Sequence, residues 1–508
     1  MPALRRQSHS PHHRAAALAF GAAVLAACSA PPELLPPPFG PDVNAPRPAR
    51  LFYPTGIAAA PSGQLLVVNG NFNHEFDSGT IVALDPAWIA GIFANPANVF
   101  DASNGLVNLD IPNDPKSSDP AKRSVFQGVA MIGSYGGPLT LDNRPASPGG
   151  ASVVRAYTGS RDTSRLNGTI LDPSSGKLSC MYGKGSTDID CRGGILDMKA
   201  AYSLEGPYSI VPGAARLPGA TADQDVLFVS ALIPTITEVT NGVLYTRATV
   251  AALLPFDAGD TAATAPSAYY VATASSATLA GGIGSGPMVF DGQRRQLILG
   301  GCFTRYAAGS IGEASSGKCG LSRSTNLLRF MGVDEGPDAH VQVVDIATDI
   351  RSVDTTDLAL GNLDPVTHFA RTLYVAARNP DLLAEIDLPS DPRQLVAVRR
   401  VTPMPISPAQ VLLLKRPATI PGPDLVLISS EVSGSVAIYD ATASQVVAQV
   451  ERLGTAPFAL VQLGDSTDGT KAQIALSIFG DCRVALIDVD YARPWQARLR
   501  GRLGSCPP

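Results

Sequence analysis

Charge is scarce in this chain of 508 residues. Asp, Glu, Lys and Arg make up 16% of it, against about 25% in an ordinary globular protein. The 39 basic and 44 acidic residues leave a formal net charge of −5, so no excess of positive charge is available to bind a phosphate backbone. The composition argues against a nucleic-acid binder that relies on a basic face, and no nucleic-acid partner is predicted.

Motifs that carry common chemistry are also missing. The sequence has no Cys-x-x-Cys or Cys-x-x-Cys-His and no phosphate-binding Gly-x-x-x-x-Gly-Lys-[Ser/Thr] loop. Its histidines beyond residue 27 are His74, His340 and His368, and no Gly-x-Ser-x-Gly elbow accompanies any of them. Haem attachment, P-loop nucleotide binding and elbow-type hydrolysis are not supported, and an enzyme is the less favoured prediction.

The first 27 residues have the three parts of an export signal. Arginines at 5, 6 and 14 precede an apolar stretch over residues 15–25, which is too short to cross a bilayer as a mature helix. The sequence Leu25-Ala26-Ala27-Cys28 resembles a bacterial lipobox, which implies cleavage before Cys28 and lipidation of Cys28. An ordinary signal with an incidental cysteine is the alternative. The predicted location is the bacterial cell envelope, lipid-anchored, and the non-acidic Ser29 favours the outer membrane.

Proline is abundant directly after this signal. Eight prolines lie between Ala30 and Arg50, and such a composition favours extended polyproline II structure. The predicted organisation is a signal peptide at 1–27, a lipidated cysteine and proline-rich linker at 28–50, and a folded body at 51–508.

Six cysteines remain beyond Cys28, and an even number in an oxidising compartment indicates disulfides. Six cysteines allow fifteen connectivities, of which proximity in sequence selects three neighbouring pairs. Zinc ligation is the disfavoured alternative because the spacing of zinc sites is absent. The predicted pairs are Cys180–Cys191, Cys302–Cys319 and Cys482–Cys506.

A short apolar strand recurs along the rest of the chain. Tight-turn signals such as Asp291-Gly292 and Asp468-Gly469 precede some copies, and a second strand that ends in Asp follows several of them. The terminal Asp is interpreted as an Asx-turn acceptor rather than a catalytic group. The seven copies begin at Gln64, Ala151, Val226, Gln296, Thr372, Leu425 and Gln473.

Short strands without long amphipathic helices predict an all-β protein. The late copies are about fifty residues apart, close to the 40–50 residues of a four-stranded propeller blade. We therefore predict one β-propeller with seven four-stranded blades, eight being possible, and long loop inserts in the N-terminal half. The repeat resembles the lactonase-like or YVTN-type β-propeller of exported bacterial proteins, with its best copies at Leu373–Asn379 and Gln64–Gly70. That resemblance covers roughly residues 51–503 and specifies fold better than function.

One loop is rich in oxygen-bearing side chains. Such side chains suit Ca²⁺, although the spacing is not that of an EF-hand loop and a solvated turn is the preferred interpretation. No cofactor is predicted otherwise. The possible ligand or metal residues are Asn69, Asn73, His74, Glu75 and Asp77.

Two functions remain open. The first is a lipid-anchored binding or assembly scaffold that meets an envelope protein or glycan through loops on one face, of which the long segment between Cys302 and Asn326 is the leading example. The second is a metal-dependent, lactonase-like hydrolase with a cation in the propeller channel. The sequence does not identify the partner or the substrate.

Overall fold

We describe a computed structural model of the chain. The described residues are 34–35, 37–38, 49–94, 108–109, 124–144, 153–181, 188–202, 204–216, 221–234, 236–240, 243–246, 250–253, 268–272, 286–300, 302–304, 324–333, 341–345, 354–392, 394–422, 424–504 and 506. The predicted signal peptide, the lipidation site Cys28 and the loop at 305–323 lie outside them. No helix among the described residues is long and apolar enough to cross a membrane.

The first three blades are antiparallel sheets of four or five strands. Blade 2 has two outer strands, and a separate two-stranded hairpin follows the second strand of blade 3. Blade 1 consists of β1 (Pro54–Ala59), β2 (Leu65–Asn69), β3 (Gly79–Leu84) and β5 (Phe126–Ile132); blade 2 of β6 (Thr140–Asp142), β7 (Val154–Ser160), β8 (Arg165–Leu171), β9 (Leu178–Cys180) and β10 (Leu196–Asp197); blade 3 of β11 (Leu204–Ala215), β12 (Gln224–Pro234), β15 (Val250–Leu253) and β16 (Ala268–Ala272), with the hairpin β13 (Ile236–Thr240) and β14 (Val243–Thr246).

The remaining four blades repeat the same meander with shorter connections. Blade 4 consists of β17 (Met288–Asp291), β18 (Gln296–Leu299), β20 (Ser324–Gly332) and β21 (Val341–Asp345), with β19 (Cys302–Thr304) beside β20; blade 5 of β22 (Asp354–Leu360), β23 (Thr372–Arg378), β24 (Leu382–Asp387) and β25 (Ala397–Pro403); blade 6 of β26 (Pro408–Leu413), β27 (Leu425–Ser430), β28 (Ser435–Asp440) and β29 (Gln445–Val450); blade 7 of β30 (Pro457–Asp465), β31 (Lys471–Ile478), β32 (Arg483–Asp490) and β33 (Arg498–Leu503).

Helical structure is minor among the described residues. It comprises α1 (Pro86–Ala94), α2 (Met198–Tyr202) and a 3-10 turn at Pro494–Gln496. Helix α1 belongs to the insert between β3 and β5. Further along this insert, β4 (Asn108–Leu109) leaves blade 1 and pairs in parallel with β33, the outer strand of blade 7.

The hydrophobic core lies between the blades. Seven clusters of buried side chains in the described residues each join two neighbouring blades, and one of them joins blade 7 to blade 1. The inner strands β1 and β30 also contact one another. The blades therefore close into a ring, which confirms the predicted all-β propeller, and the described residues supply seven blades.

Each of the seven predicted strand copies lies in a different blade, and each forms or overlaps its second strand. These strands are buried on both faces, as in β27, where every residue is buried, so their sequences are continuous apolar runs rather than alternating ones. In blade 4 the strand that ends in Asp, Val341–Asp345, is the outermost one, because β20 lies between it and β18.

The terminal aspartates of several strands have the predicted turn role. Asp85, Asp172 and Asp440 each accept a backbone N–H from the residue two positions later, over 2.8–2.9 Å. At Asp172 and Asp440 this bond starts the turn into the next strand, whereas at Asp85 it precedes the first turn of helix Pro86–Ala94.

Two of the predicted disulfides are present. Cys180–Cys191 joins Cα atoms 5.3 Å apart in blade 2, and Cys482–Cys506 joins Cα atoms 4.7 Å apart in blade 7. The pair Cys302–Cys319 lies outside the residues whose side chains are described. In blade 7, β32 and β33 are antiparallel neighbours, so the disulfide fastens the C-terminal tail beside the start of β32.

Candidate functional site

A repeated turn surrounds one end of the channel. In blades 1, 2, 6 and 7 one residue that precedes the inner strand has a left-handed backbone, with φ between 46° and 63°, which is uncommon for residues other than glycine. This residue directly precedes the strand in blades 1, 6 and 7 and stands five residues before it in blade 2. Its carbonyl accepts an N–H from the loop between the second and third strands of the same blade. The four donor–acceptor pairs are Gly70–Tyr53, Arg161–Tyr135, Glu431–Ser407 and Phe479–Ala456. We call the end of the propeller that carries these loops the loop face.

Carboxylates strengthen the same loops. Asp162 accepts the N–H of Ser134 over 3.1 Å, and Asp481 accepts the N–H of Thr455 over 3.1 Å. Burial raises the pKa of Asp162, and the backbone N–H groups that it accepts oppose the rise. These two carboxylates therefore help to hold the loop face in shape.

Aromatic rings meet on the loop face at blades 1, 2 and 7. Phe72 makes edge contacts with Tyr135 and Phe479, with ring centroids 4.8 and 5.1 Å apart. Tyr53 lies 5.5 Å from Phe479, and the ring of His74 lies 4.7 Å from Tyr135. The four phenyl and phenol rings are partly exposed and His74 is exposed. We call Tyr53, Phe72, His74, Tyr135 and Phe479 the aromatic shelf.

The residues predicted as possible metal ligands do not converge. Asn69 is fully buried, and its side chain accepts the N–H of Phe52 and donates to Arg50 and Thr80.

The exposed part of the same loop has other partners. The side chain of Asn73 donates to Tyr53 and Glu75, and Asp77 forms an ion pair with Arg192, 2.9 Å away. In the part of the chain that the structure describes, no three His, Cys, Asp or Glu residues lie close enough to hold a metal ion. Asn69 and Asp77 are engaged with separate partners, so the five predicted residues do not act as one set of ligands.

The other predicted histidine with a described position, His368, lies in an exposed turn with φ of 58°. The β22–β23 turn that contains it is on the end of the propeller opposite the loop face. His340 is outside the described residues. The two histidines with described positions therefore lie at opposite ends of the ring.

A groove of about 810 Å³ opens on the loop face between blades 6 and 7. Its walls carry both signs of charge from Glu431, Glu451, Arg452 and Arg502. The Nε–H of Arg502 is buried and has no acceptor among the described residues. Such a volume is within the range of binding sites, and the guanidinium of Arg502 donates through Nη2 to the carbonyl of Arg452 in the same wall.

One exposed apolar side chain lies in the wall of this groove, and a second lies in the loop bonded to that wall. Val432, in its wall, is 71% exposed, and Ile406, in the preceding loop, is 59% exposed. The two loops are joined because Ser433 donates its backbone N–H and its hydroxyl to the carbonyl of Ile406. The sequence provides no sign of this pairing, because Ile406 and Val432 come from different connections of the sheet.

Asp357 lies on the inner strand of blade 5. Its carboxylate accepts the N–H of Val411 from the inner strand of blade 6 over 2.9 Å. Burial raises the pKa of Asp357 to about 7, against the opposing effect of the backbone N–H groups of Val411 and Leu358. The carboxyl group therefore titrates near neutral pH at the junction of two blades.

Replacement of Asp357 with asparagine should change how stability depends on pH. Because the folded-state pKa is raised, the stabilising contribution of Asp357 is complete below about pH 4 and is lost as pH rises towards 7. The asparagine amide would keep an acceptor for the Val411 N–H without titrating. We expect the variant to lose this decline and to exceed the wild type in stability at pH 8, measured by denaturant unfolding across the pH range.

Asp364 supplies the control. Backbone N–H groups of Thr367 and Val366 lower its pKa, so its contribution is lost at low rather than neutral pH. Asp364→Asn should leave the decline between pH 4 and 7 in place. An Asp357→Asn protein that keeps the wild-type decline would contradict the assignment.

Comparisons with known proteins give matches of architecture. No protein-family model and no curated protein sequence matches the chain. Among solved structures, the periplasmic gluconolactonase of Pseudomonas aeruginosa is 12% identical, with a TM-score of 0.38, over 66% of this chain and 78% of that one.

Two further structures are similar at the same level. A Bacteroides fragilis protein, provisionally assigned as a 6-phosphogluconolactonase, is 12% identical with a TM-score of 0.37 over 78% of this chain and 82% of that one. A chain of a nidogen–laminin complex is 10% identical with a TM-score of 0.30 over 58% and 74%. At these identities the matches say nothing about the chemistry of this chain.

Proposed function

We propose that the protein is a binding propeller of the bacterial cell envelope that captures a protein partner in the groove between blades 6 and 7. The observation that carries this proposal is the combination of a groove of about 810 Å³ with exposed Ile406 and Val432 at its edge. The proposal includes a lipid anchor at Cys28, supported by the sequence Leu25–Cys28 that follows the basic and apolar segments.

The character of the groove favours a polypeptide over a glycan. Protein interfaces combine an apolar centre with a polar, charged rim and are enriched in arginine. Ile406 and Val432 supply aliphatic area, while Glu451 and Arg452 supply exposed charges of both signs. The positive charge of the partly exposed Arg502 in the groove wall suits a carboxylate of the partner.

The rigid setting of the groove adds to this argument. The wall residue Glu431 donates its N–H to Ser407 over 2.8 Å and forms an ion pair with Arg378 over 2.7 Å. Loops that are already ordered lose less conformational entropy on binding. The geometry therefore favours recognition by a preformed surface.

Photo-crosslinking at the groove tests the proposal. A benzophenone amino acid at Val432 should crosslink one discrete envelope protein, whereas the same group at Val366 should not. Val366 is 84% exposed and lies in the β22–β23 turn at the opposite end of the propeller, so the two sites differ in position rather than in accessibility. The crosslinked protein would be identified by mass spectrometry and its affinity measured with purified components.

Two further variants distinguish recognition from incidental contact. Ile406→Asp places a charge at the apolar edge and should weaken the measured affinity about tenfold or more. Arg502→Ala should weaken binding in the same direction. Equal crosslinking at Val432 and Val366, or affinity unchanged in both variants, would refute the groove as the binding site.

A hydrolase is the second candidate function, and Asp357 is the observation that favours it. A carboxyl group with a pKa of about 7 is suited to general acid–base catalysis at neutral pH. Lactone hydrolysis by the purified protein that is lost in Asp357→Asn and kept in Asp364→Asn would support this function instead. If hydrolysis is absent, or is present in both variants, Asp357 is not a catalytic group. Its role is then to accept the N–H of Val411 at the junction of blades 5 and 6.

A further inference from the structure

The linker reaches the body on the loop face. Leu35 forms a parallel bridge with Phe76, and its carbonyl accepts the N–H of Asp77 over 2.9 Å. Pro37 and Pro38 are buried. The described part of the proline-rich linker is therefore packed against the body.

This contact involves the loop that carries part of the aromatic shelf. Phe72 and His74 precede Phe76 in the β2–β3 loop, so the chain that comes from the predicted anchor arrives beside the shelf. Cys28 is six residues before Leu34, and an extended chain spans at most about 3.6 Å per residue. A lipid on Cys28 would therefore hold this part of the loop face within about 20 Å of the membrane surface.

The composition of the shelf suits that position. Tyrosine rings combine an apolar body with a polar hydroxyl and concentrate at membrane–water interfaces. Tyr53 and Tyr135 are partly exposed, with Phe72 and Phe479 between them. Nearby charge is partly neutralised, because Asp77 is paired with Arg192.

We propose that the aromatic shelf rests on the lipid surface of the membrane to which Cys28 is anchored. This inference rests on the lipid anchor of the proposed function and adds an orientation to it. The loop face then points towards the membrane, and the groove between blades 6 and 7 opens on the same side. Its partner is accordingly a protein seated in that membrane.

Fluorescence quenching in vesicles tests the orientation. The full-length lipidated protein would be reconstituted in phosphatidylethanolamine and phosphatidylglycerol vesicles that contain brominated lipid. An environment-sensitive label would be attached at Asn73→Cys, on the shelf loop, or at Val366→Cys, on the opposite end. We expect the label at position 73 to be quenched severalfold more strongly than the label at position 366.

A longer tether separates the effect of the anchor from that of the shelf. With a flexible Gly-Ser insert after Ala30, lipid contact by the shelf should keep most of the quenching at position 73, and Phe72→Ser with Phe479→Ser should then remove it. Equal quenching at positions 73 and 366 in a protein that floats with vesicles would overturn the orientation alone. Failure of the protein to float would overturn the lipid anchor and the orientation together, while leaving the groove to its own crosslinking test.

Discussion

Replacing Gly56 with alanine should destabilise the propeller by about 3 kcal/mol. Gly56 lies on β1, and a Cβ atom there would meet the carbonyl oxygen of Gly137 at 2.6 Å and the amide nitrogen of Leu139 at 2.7 Å. Both atoms belong to the backbone of blade 2, so no side chain can rotate to relieve the clash. The expected result is a lower midpoint of denaturant unfolding followed by circular dichroism.

Gly91 gives a matched control for this substitution. It is exposed in helix α1, and an added Cβ would meet nothing within 4 Å. Gly91→Ala should stabilise the helix by about 0.5–1 kcal/mol. Equal midpoints for the Gly56→Ala and Gly91→Ala proteins would show that blades 1 and 2 are not in close backbone contact at this position.

Removing the disulfide of blade 7 should have an effect of similar size. Cys482 and Cys506 are 24 residues apart in sequence, and closing a loop of that length restricts the unfolded chain by about 3 kcal/mol in the entropic model. We choose alanine rather than serine at both positions because the side chain at position 482 is fully buried, and a serine hydroxyl there would have no access to water. Denaturant unfolding of the oxidised wild type and of the double alanine variant measures the difference.

The disulfide of blade 2 provides the comparison. Cys180 and Cys191 are 11 residues apart, so their replacement should cost less, by roughly 0.7 kcal/mol on the same model. A larger loss from the 180–191 pair would contradict the loop-length argument. Reducing agent should destabilise the wild type more than either double variant, because each variant has one disulfide fewer to lose.

The repeating sheets were predictable because their signal is local. The copies that begin at Gln64, Leu425 and Gln473 are apolar on consecutive residues, and the structure buries both faces of those strands between neighbouring blades. The propeller fold was predictable from the distance between successive copies along the chain, which matches the length of a four-stranded blade. The outermost strands carried a weaker signal, because strands such as β25 are mostly exposed and have charged residues among their apolar ones.

The candidate sites depend on contacts between distant segments. Asn69 and Asp77 are close in sequence, but Asn69 is buried at the end of β2 while Asp77 is exposed and paired with Arg192. The left-handed backbone of Tyr53 and Ser407 is held by bonds from other loops, which residue type does not reveal. The raised pKa of Asp357 similarly arises from packing between two blades.

The pairing of β4 with β33 affects the last step of folding, in which the C-terminal strand joins the ring. The insert of blade 1 covers the free edge of the last strand, and Arg500 of that strand donates to the carbonyl of Phe93 in helix α1 over 2.6 Å. Because a chain is synthesised from its N-terminus, the covering segment exists before the strand that it covers. The C-terminal strand can therefore dock into a waiting partner, which limits the time for which an unpaired edge is open to another copy of the chain.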